Sequence, residues 1–237
     1  MDEQMKQSLI VIVALLATCG ALVAGLAYWL GGDASDSLTN DAASELAIDD
    51  PIEVTEREPY EPEANINNMN PVAEVTTNYG VIEIELFDDA MPITAGNFMK
   101  LAREDFYNGT KFHRVIEGFM IQGGDPITKT DEVLRYGTGG PGYSIPDEHI
   151  AGDKLTNVRG TISMANSGPE SGGSQFFINL NDNTNLDYDK PPLSSQHPVF
   201  GQVIAGMDIV ETIGSVATGP SDQPIEPVVV ESVVIKE

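Results

Sequence analysis

The chain has 237 residues and a formal net charge of −25 at pH 7. So large a negative charge argues against nucleic acid as a partner, because binding to phosphates depends on clustered Lys and Arg. A single Cys excludes a disulfide framework within the chain.

The first predicted element is an apolar segment, residues 9–30, that carries no charged side chain. A helix of this length reaches roughly 33 Å at about 1.5 Å per residue, which is enough for a hydrocarbon core of about 30 Å. We therefore predict one transmembrane helix after a short cytoplasmic N-terminus, residues 1–8. A cleaved signal peptide and lipid attachment at Cys19 remain alternatives.

The charge around this segment predicts its orientation. Lys6 and the amino terminus are positive, and no Lys or Arg follows the segment until Arg57. This weak bias keeps the short N-terminus in the cytoplasm. We therefore expect the rest of the chain to be extracytoplasmic, in the periplasm or at the cell surface.

Residues 31–71 form an acidic stretch with few large apolar side chains. Eleven acidic residues stand against one Arg, a net charge of −10. Such a composition cannot bury enough apolar surface to offset chain entropy, so the stretch is predicted to be a disordered linker. A tail that binds a partner is the alternative interpretation.

The remaining residues, 72–237, show the pattern of a single β-rich domain. Short apolar strands are separated by Gly, Pro and Asn, which is typical of an all-β barrel. Two helices are predicted, at 92–104, where Pro92 occupies a suitable first helical position, and at 207–213. The first has Phe98, Leu101 and Ala102 on one face.

Two further strands are predicted at 111–116 and 119–123, around a Glu-Gly turn. Alternation would place Phe112, Arg114 and Ile116 on one face of the first strand, with Gln122 within reach of the Arg114 guanidinium if the strands pair. Taken alone, such an Arg and Gln are more often a solvated surface pair.

Five segments in sequence order resemble the cyclophilin family of peptidyl-prolyl cis-trans isomerases, in its bacterial type. They begin with the strand pattern at 81–86 and the helix start at 92–98. The run from Phe112 to Asp125 follows, then the run from Ser163 to Ile178, and last Asn185-Leu186-Asp187 with the later His197-Pro198-Val199-Phe200-Gly201. The resemblance covers residues 72–237.

The resemblance implies a closed antiparallel β-barrel capped by two helices, with a site that acts on Xaa-Pro bonds. It implies Arg114 and Gln122 as catalytic residues. It also implies that substrate is bound by Phe119, Met120, Ala165, Asn166, Ser167, Phe177, Leu186 and His197. Because side chains alternate along a strand, Phe176 is expected in the core and only Phe177 in the pocket.

The chemistry expected of this site follows from the amide. Rotation about a peptide bond is opposed by a barrier of about 18 to 20 kcal/mol, and bonds before proline are those with both isomers populated. A twisted prolyl nitrogen regains its lone pair, so a donor aimed at it stabilises the transition state. We expect Arg114 to supply this donor and Gln122 to orient it, without a covalent intermediate.

Partners and cofactors are predicted from the same residues. The histidines at 113, 149 and 197 show no short metal-ligand spacing, so neither metal nor cofactor is expected. The expected partners are proline-containing polypeptides, whose folding the protein would assist. We expect the protein to act as a monomer. Asn185 stands where many eukaryotic relatives have a Trp that helps to bind cyclosporin, which argues against cyclosporin binding.

Two other classes of function compete with the isomerase. A chaperone or scaffold that binds proline-containing segments without catalysis would not need Arg114. A structural envelope protein would depend on the acidic linker, and its function would not change when Arg114 is replaced.

Overall fold

The computed structural model describes residues 70–150, 155–190 and 196–237. Within these residues, eight strands and two α-helices follow one another in the order β1 (Val72–Thr77), β2 (Gly80–Leu86), α1 (Pro92–Arg103), β3 (Arg114–Ile116), β4 (Met120–Gly123), β5 (Thr161–Met164), β6 (Phe176–Asn179), β7 (Val199–Ala205), α2 (Met207–Gly214) and β8 (Val230–Lys236). The first strand begins at Val72.

The strands form one sheet in the order β3-β4-β6-β5-β7-β2-β1-β8, with antiparallel pairs throughout. It is an eight-stranded half-barrel, so the predicted antiparallel sheet with two helices is confirmed, whereas the predicted closure is not, because β3 and β8 are the two ends of the strand order and do not pair as strands. The segments preceding the two edge strands also meet: Phe112 N donates to Val228 O at 2.9 Å, and Val230 N donates to Thr110 O at 2.8 Å.

Alternation along the outer strands places the core on one face of the sheet. In β1 and β2 every second residue is buried, and the residues between them are partly exposed. The strands β5 and β6 are buried along their whole length, so both of their faces are covered. The sheet is therefore packed on a second face near β5 and β6, where the candidate site lies.

The two helices begin at the predicted residues and end within one residue of the predicted positions. The start of α1 is capped by a residue far away in the sequence. The Glu148 carboxylate accepts from Ile93 N at 3.1 Å and from Thr94 N at 2.8 Å. Its predicted apolar face, with Phe98, Leu101 and Ala102, is buried in the core. In α2 the buried apolar residues are Val210 and Ile213.

The prediction for the first strand of the Arg114 hairpin was wrong in one respect. The strand begins at Arg114, and Phe112 belongs to the hydrophobic core with Val115, not to the face that carries Arg114. The chain is irregular here: His113 N donates to Gln122 O at 3.0 Å, although Gln122 is already the partner of Arg114 in the strand register. Such a bulge breaks the alternation of faces.

Among the residues at 70–150, 155–190 and 196–237, no helix is long and apolar enough to cross a membrane. The transmembrane helix predicted at 9–30 lies outside the described residues, as do positions 31–69 of the predicted linker.

Candidate active site

Four neighbouring strands align side chains from Arg114 to Ser163 in one row. Arg114 on β3 is the direct partner of Gln122 on β4, which is also opposite Phe177 on β6, and Phe177 is opposite Ser163 on β5. Directly opposite residues share a face, with Cβ atoms about 5 Å apart. The sheet register therefore brings Arg114, Gln122 and Phe177 together.

The middle of this row is apolar. Phe177 and Met120 are buried, yet neither belongs to the main core cluster, whereas Phe176 and Ile178 do. The ring of His197 meets Phe177 edge to face, with centroids 5.3 Å apart. This apolar patch, on the face opposite to the core, stands where the substrate pocket was predicted.

Leu186 and Phe119 lie in two segments that backbone bonds join to the elements of this pocket. Leu186 ends a short 3-10 helix, Thr184–Leu186, and its carbonyl accepts from His197 N at 3.0 Å. Phe119 is half-buried in the hairpin turn between β3 and β4, just after Gly118, whose positive φ of 67° suits glycine. The backbone thus ties Leu186 to His197, and the turn holds Phe119 next to Met120.

His197 is held as a neutral ring. Its Nδ1 atom lies 3.1 Å from Met164 O, so this nitrogen carries the proton of the neutral tautomer. Burial lowers the pKa of His197 below its usual range, and the hydrogen bond to Met164 opposes that shift only in part. An uncharged ring in this position keeps the pocket wall compatible with an apolar ligand.

A buried polar network lies behind the pocket, centred on Asn157. Its amide nitrogen donates to Asp187 Oδ1 at 2.9 Å and to the carbonyl of His197 at 3.1 Å. Its Oδ1 atom accepts from Ser163 Oγ at 2.7 Å and from Asn179 Nδ2 at 3.2 Å. This network ties the segment that carries His197 to β5 and β6.

The same network extends to Phe119. The amide nitrogen of Asn183 donates to Asn179 Oδ1 at 2.8 Å and to Phe119 O at 2.9 Å. The backbone positions on both sides of the pocket are therefore set by buried side-chain amides. The sequence analysis missed these residues, because a single Asn carries no signal of burial in the sequence.

The sequence analysis also missed Gln175, the first neighbour of Gln122. Gln122 Nε2 donates to Gln175 Oε1 at 3.0 Å, and Gln175 Nε2 donates to the carbonyls of Gly137 and Gly139 at 3.0 and 2.8 Å. Its place in the Ser-Gln-Phe-Phe run, directly before the β6 phenylalanines, was the available signal. The amide of Gln122 is thus oriented by Gln175.

The loop that receives Gln175 is itself anchored by a buried carboxylate. Asp125 is fully buried, and its side chain accepts backbone hydrogen bonds from Ile127, Gly137 and Gly139. Three donors satisfy a carboxylate that has no cation among its hydrogen-bond partners. Asp125 therefore supports the site through Gln175, without contact with Arg114.

The guanidinium of Arg114 faces an acidic residue that the sequence analysis did not consider. Arg114 Nε lies 3.5 Å from Asp222 Oδ2, and the two side chains are 44% and 48% exposed. A cavity of about 750 Å³ lies beside them, with Arg114, Gln122, Leu134 and Asp222 among its lining residues. The orientation of Arg114 by Gln122 remains a prediction.

The predicted recognition loop, residues 165–167, begins at the end of β5. Its Ala165 N donates to Gln175 O at 2.9 Å and its Ser167 N donates to Ser171 Oγ at 2.9 Å. The side chain of Asn166 donates to Gln196 O at 2.6 Å. These bonds define the loop shape and commit two of its three backbone N–H groups.

Within the described part of the chain, no group of three His, Cys, Asp or Glu side chains is arranged to hold a metal ion. The row of residues itself offers an amide at Gln122, a guanidinium at Arg114 and the apolar pocket at Phe177. Such a site can bind an apolar ring and place a cationic donor beside it.

Comparison with known proteins agrees with this geometry. Residues 72–235 match the family model described as cyclophilin type peptidyl-prolyl cis-trans isomerase/CLD. Peptidyl-prolyl cis-trans isomerase B of Escherichia coli is 43% identical over 169 residues, which cover 68% of this chain and 97% of that protein. The peptidyl-prolyl cis-trans isomerase of Acinetobacter baylyi is 42% identical over 172 residues, 70% of this chain and 86% of that protein.

Solved structures show the same fold. A cyclophilin type peptidyl-prolyl cis-trans isomerase of Cryptosporidium parvum superposes with a TM-score of 0.60 and is 31% identical, covering 71% of this chain and 98% of that one. The same parasite protein has been solved in the presence of the dipeptide Ala-Pro, with a TM-score of 0.60 and 31% identity over 70% of this chain and 99% of that one. The extent of these matches shows that the chain belongs to the cyclophilin family and is a peptidyl-prolyl cis-trans isomerase.

Proposed function

We propose that this isomerase acts through Arg114, which donates to the prolyl nitrogen as the amide twists. Planar amide nitrogen is a poor acceptor, whereas the twisted nitrogen is a good one, so the donor favours the transition state over both ground states. The observation that carries the proposal is the register of Arg114, Gln122 and Phe177 in one row. A proline ring over Phe177 lies within side-chain reach of Arg114.

The apolar pocket supplies the binding energy. Phe177 and Met120 provide a buried floor, with Leu186, Phe119 and His197 around it. A proline ring that leaves water for this surface gains about 25 cal/mol per Å² of apolar area buried. The pocket keeps the proline ring bound while the residue before it rotates about the amide bond. The client is therefore isomerised without being released.

The loop at 165–167 is proposed to bind the residue before the proline. Because the N–H groups of Ala165 and Ser167 are committed within the protein, the proposed contacts are the backbone of Asn166 and the carbonyl of Ala165. A client chain then runs from this loop, past Phe177, towards Arg114.

The clients are proposed to be exported or membrane-proximal polypeptides whose folding awaits prolyl isomerisation. This part of the proposal depends on the apolar segment at 9–30 and the acidic segment at 31–71. A flexible linker of that length has a root-mean-square reach of about 35 Å, which self-repulsion extends. A domain held in this way would act on chains that emerge near the membrane surface.

The test of the proposed mechanism is isomerisation of a short prolyl peptide by the full-length chain and by Arg114→Ala. Removing one preorganised donor typically lowers kcat by about 10²- to 10³-fold, and we expect a loss of that size in kcat/KM. Arg114 is half exposed, so the variant should unfold at the same denaturant concentration as the wild type.

Arg103→Ala is the matched control. Arg103 ends α1 and pairs with the exposed Glu237 at 2.8 Å, away from the row of site residues. Its replacement should leave the rate unchanged. A folded Arg114→Ala variant that retains full activity would contradict the mechanism, and a wild type that binds prolyl peptides without accelerating their isomerisation would favour the non-catalytic chaperone.

A further inference from the structure

We propose that the cavity beside Arg114 is a charge-selective subsite in which Asp222 favours clients with Lys or Arg directly after the proline. The inference rests on the proposed function, because it takes the proline ring to lie over Phe177. It assigns Asp222 a role in substrate choice and none in the chemical step.

The charges on the cavity wall are few. Among the residues described as lining it, Arg114 and Asp222 carry the permanent charges, and the remaining ionisable side chains are the rings of His113 and Tyr136. Burial lowers the pKa of His113, so its ring is neutral at pH 7. Asp222 is thus the carboxylate that a bound side chain meets in this cavity.

The rest of the cavity wall suits the stem of a long cationic side chain. Val133 and Leu134, on the 3-10 helix Val133–Arg135, are exposed to solvent, Leu134 completely, and Tyr136 lies beside them. Lys and Arg cover apolar surface with their aliphatic stems while the charged end stays at a polar group. An apolar wall with one carboxylate offers both contacts.

The sheet order indicates which client residue enters the cavity. The loop at 165–167 follows β5, whose neighbour in this part of the sheet is β6. Arg114 lies on β3, which is separated from β6 by β4. A client with its preceding residue at that loop and its proline over Phe177 continues towards Arg114. At about 3.3 Å per extended residue, the side chain directly after the proline reaches the cavity.

Asp222 is held in place by an unusual backbone. Ser221 and Asp222 have φ values of 62° and 58°, both in the left-handed region. The loop is closed by Gly219 N donating to Gln223 O at 2.7 Å, and by a bridge between Thr218 and Pro224. Non-glycine residues persist in this region only when the surroundings hold them there, which is common in sites that bind ligands.

The ion pair between Asp222 and Arg114 is weak enough for a client to replace. Both side chains of the pair are about half exposed, and solvent screening leaves such pairs with little net attraction. A client Lys can take over Asp222 and leave Arg114 free for the prolyl amide. A client Glu competes with Asp222 for Arg114, so the residue after the proline acts on catalysis in opposite directions according to its charge.

The test measures kcat/KM of the full-length chain for prolyl peptides that carry Lys, norleucine or Glu after the proline. Norleucine has the aliphatic stem of Lys without the charge. We expect the Lys peptide to exceed the Glu peptide by about two- to fivefold at low salt, from the energy of an exposed pair, and the preference to vanish in molar salt.

Asp222→Asn is the informative variant, because Asn tolerates left-handed backbone and so keeps the loop conformation. We expect it to abolish the preference for Lys over Glu. Glu226→Gln, which neutralises an exposed acidic residue of the same segment outside the cavity, should retain it. Equal loss in both variants would assign the effect to the general negative field and overturn the subsite.

The affinities of the same peptides, measured by fluorescence anisotropy, separate this inference from the proposed function. If no peptide is isomerised, the proposed function fails, but tighter binding of the Lys peptide that depends on Asp222 would still support the subsite. If the wild type isomerises and binds Lys and Glu peptides equally at low salt, the subsite is refuted and the isomerase mechanism is untouched.

Discussion

The two halves of the site are built differently. The pocket half is buried, with Met120 and Phe177 only 2% and 5% exposed above side-chain amides that are hydrogen-bonded to one another. In the other half, Arg114 and Asp222 are about half exposed and meet at 3.5 Å. The buried half therefore fixes the shape of the pocket. The exposed half presents charged side chains that solvent and clients can reach.

This division has an energetic consequence. Removing one partner from a buried polar network leaves other groups unsatisfied and costs the desolvation of each. Removing one partner of an exposed ion pair costs less than about 1 kcal/mol. Substitutions in the pocket half should therefore change stability first, and substitutions in the Arg114 half should change activity first.

The largest expected effect on stability is that of Asn157→Ala. The change removes four side-chain hydrogen bonds, and it takes the acceptor from Ser163 Oγ while Asn179 keeps its bonds to Thr161. We expect a loss of about 3 kcal/mol in the free energy of unfolding, measured with urea. Because the carbonyl of His197 also loses its donor, KM for a prolyl peptide should rise.

Asn181→Ala is the control for this change, since Asn181 is exposed and accepts only a local bond from Asp182 N. It should alter the unfolding free energy by less than about 0.5 kcal/mol. A similar small effect for Asn157→Ala would mean that the network contributes little, and the proposed contrast between the halves would be lost.

A smaller effect on stability is expected from pH, through His113 and His197. Burial lowers the pKa of both rings in the folded state, so the unfolded chain binds more protons once pH falls towards about 6.5. Stability should be complete above that value and fall on acidification, with a slope of at most about 1.4 kcal/mol per pH unit for each histidine.

His113→Phe isolates one of the two contributions. Both ring nitrogens of His113 are buried, and the backbone of Lys111 opposes the lowering of its pKa only in part, so Phe removes little hydrogen bonding. Between pH 7.5 and pH 5.5, the unfolding free energy of the variant should change with pH about half as steeply as that of the wild type, because one of the two histidines no longer contributes. An unchanged slope would show that His113 is not held neutral by burial.

The sequence predicted the fold better than it predicted the buried polar residues that hold the site in place. Apolar periodicity and the Pro92 start were sufficient for the helices, and short strands between turn residues indicated a β-rich domain, whereas the antiparallel arrangement was implied by the family resemblance. Alternation failed at Phe112, where a bulge at His113 shifts the faces by one residue. A bulge depends on long-range pairing, which no local pattern records.

The same limit applies to the polar residues of the site. Arg114, Phe177 and His197 could be named because they lie in motifs, and the structure brings them to one face of the sheet. Asn157 and Asp222 could not, because their importance comes from what the fold places beside them. An Asn in a loop and an Asp after Pro-Ser are, by sequence alone, ordinary surface residues.

The smallest expected effect is at Gln175, which joins the two halves. Its side chain links Gln122 to the carbonyls of Gly137 and Gly139, so Gln175→Leu would free the Gln122 amide without opening the core. We expect a loss of about threefold in kcat/KM, near 0.7 kcal/mol, and little change in unfolding.

A double-mutant cycle decides whether Gln175 acts through Arg114. If its role is to position the Gln122 and Arg114 pair, Gln175→Leu should have no further effect on the residual rate of Arg114→Ala, and the two changes should be non-additive. Gln202→Leu, at an exposed position of β7 that bonds Glu85 at 2.9 Å, serves as the additive control. Full additivity at Gln175 would place it in the pocket half and make Arg114 independent of the amide network.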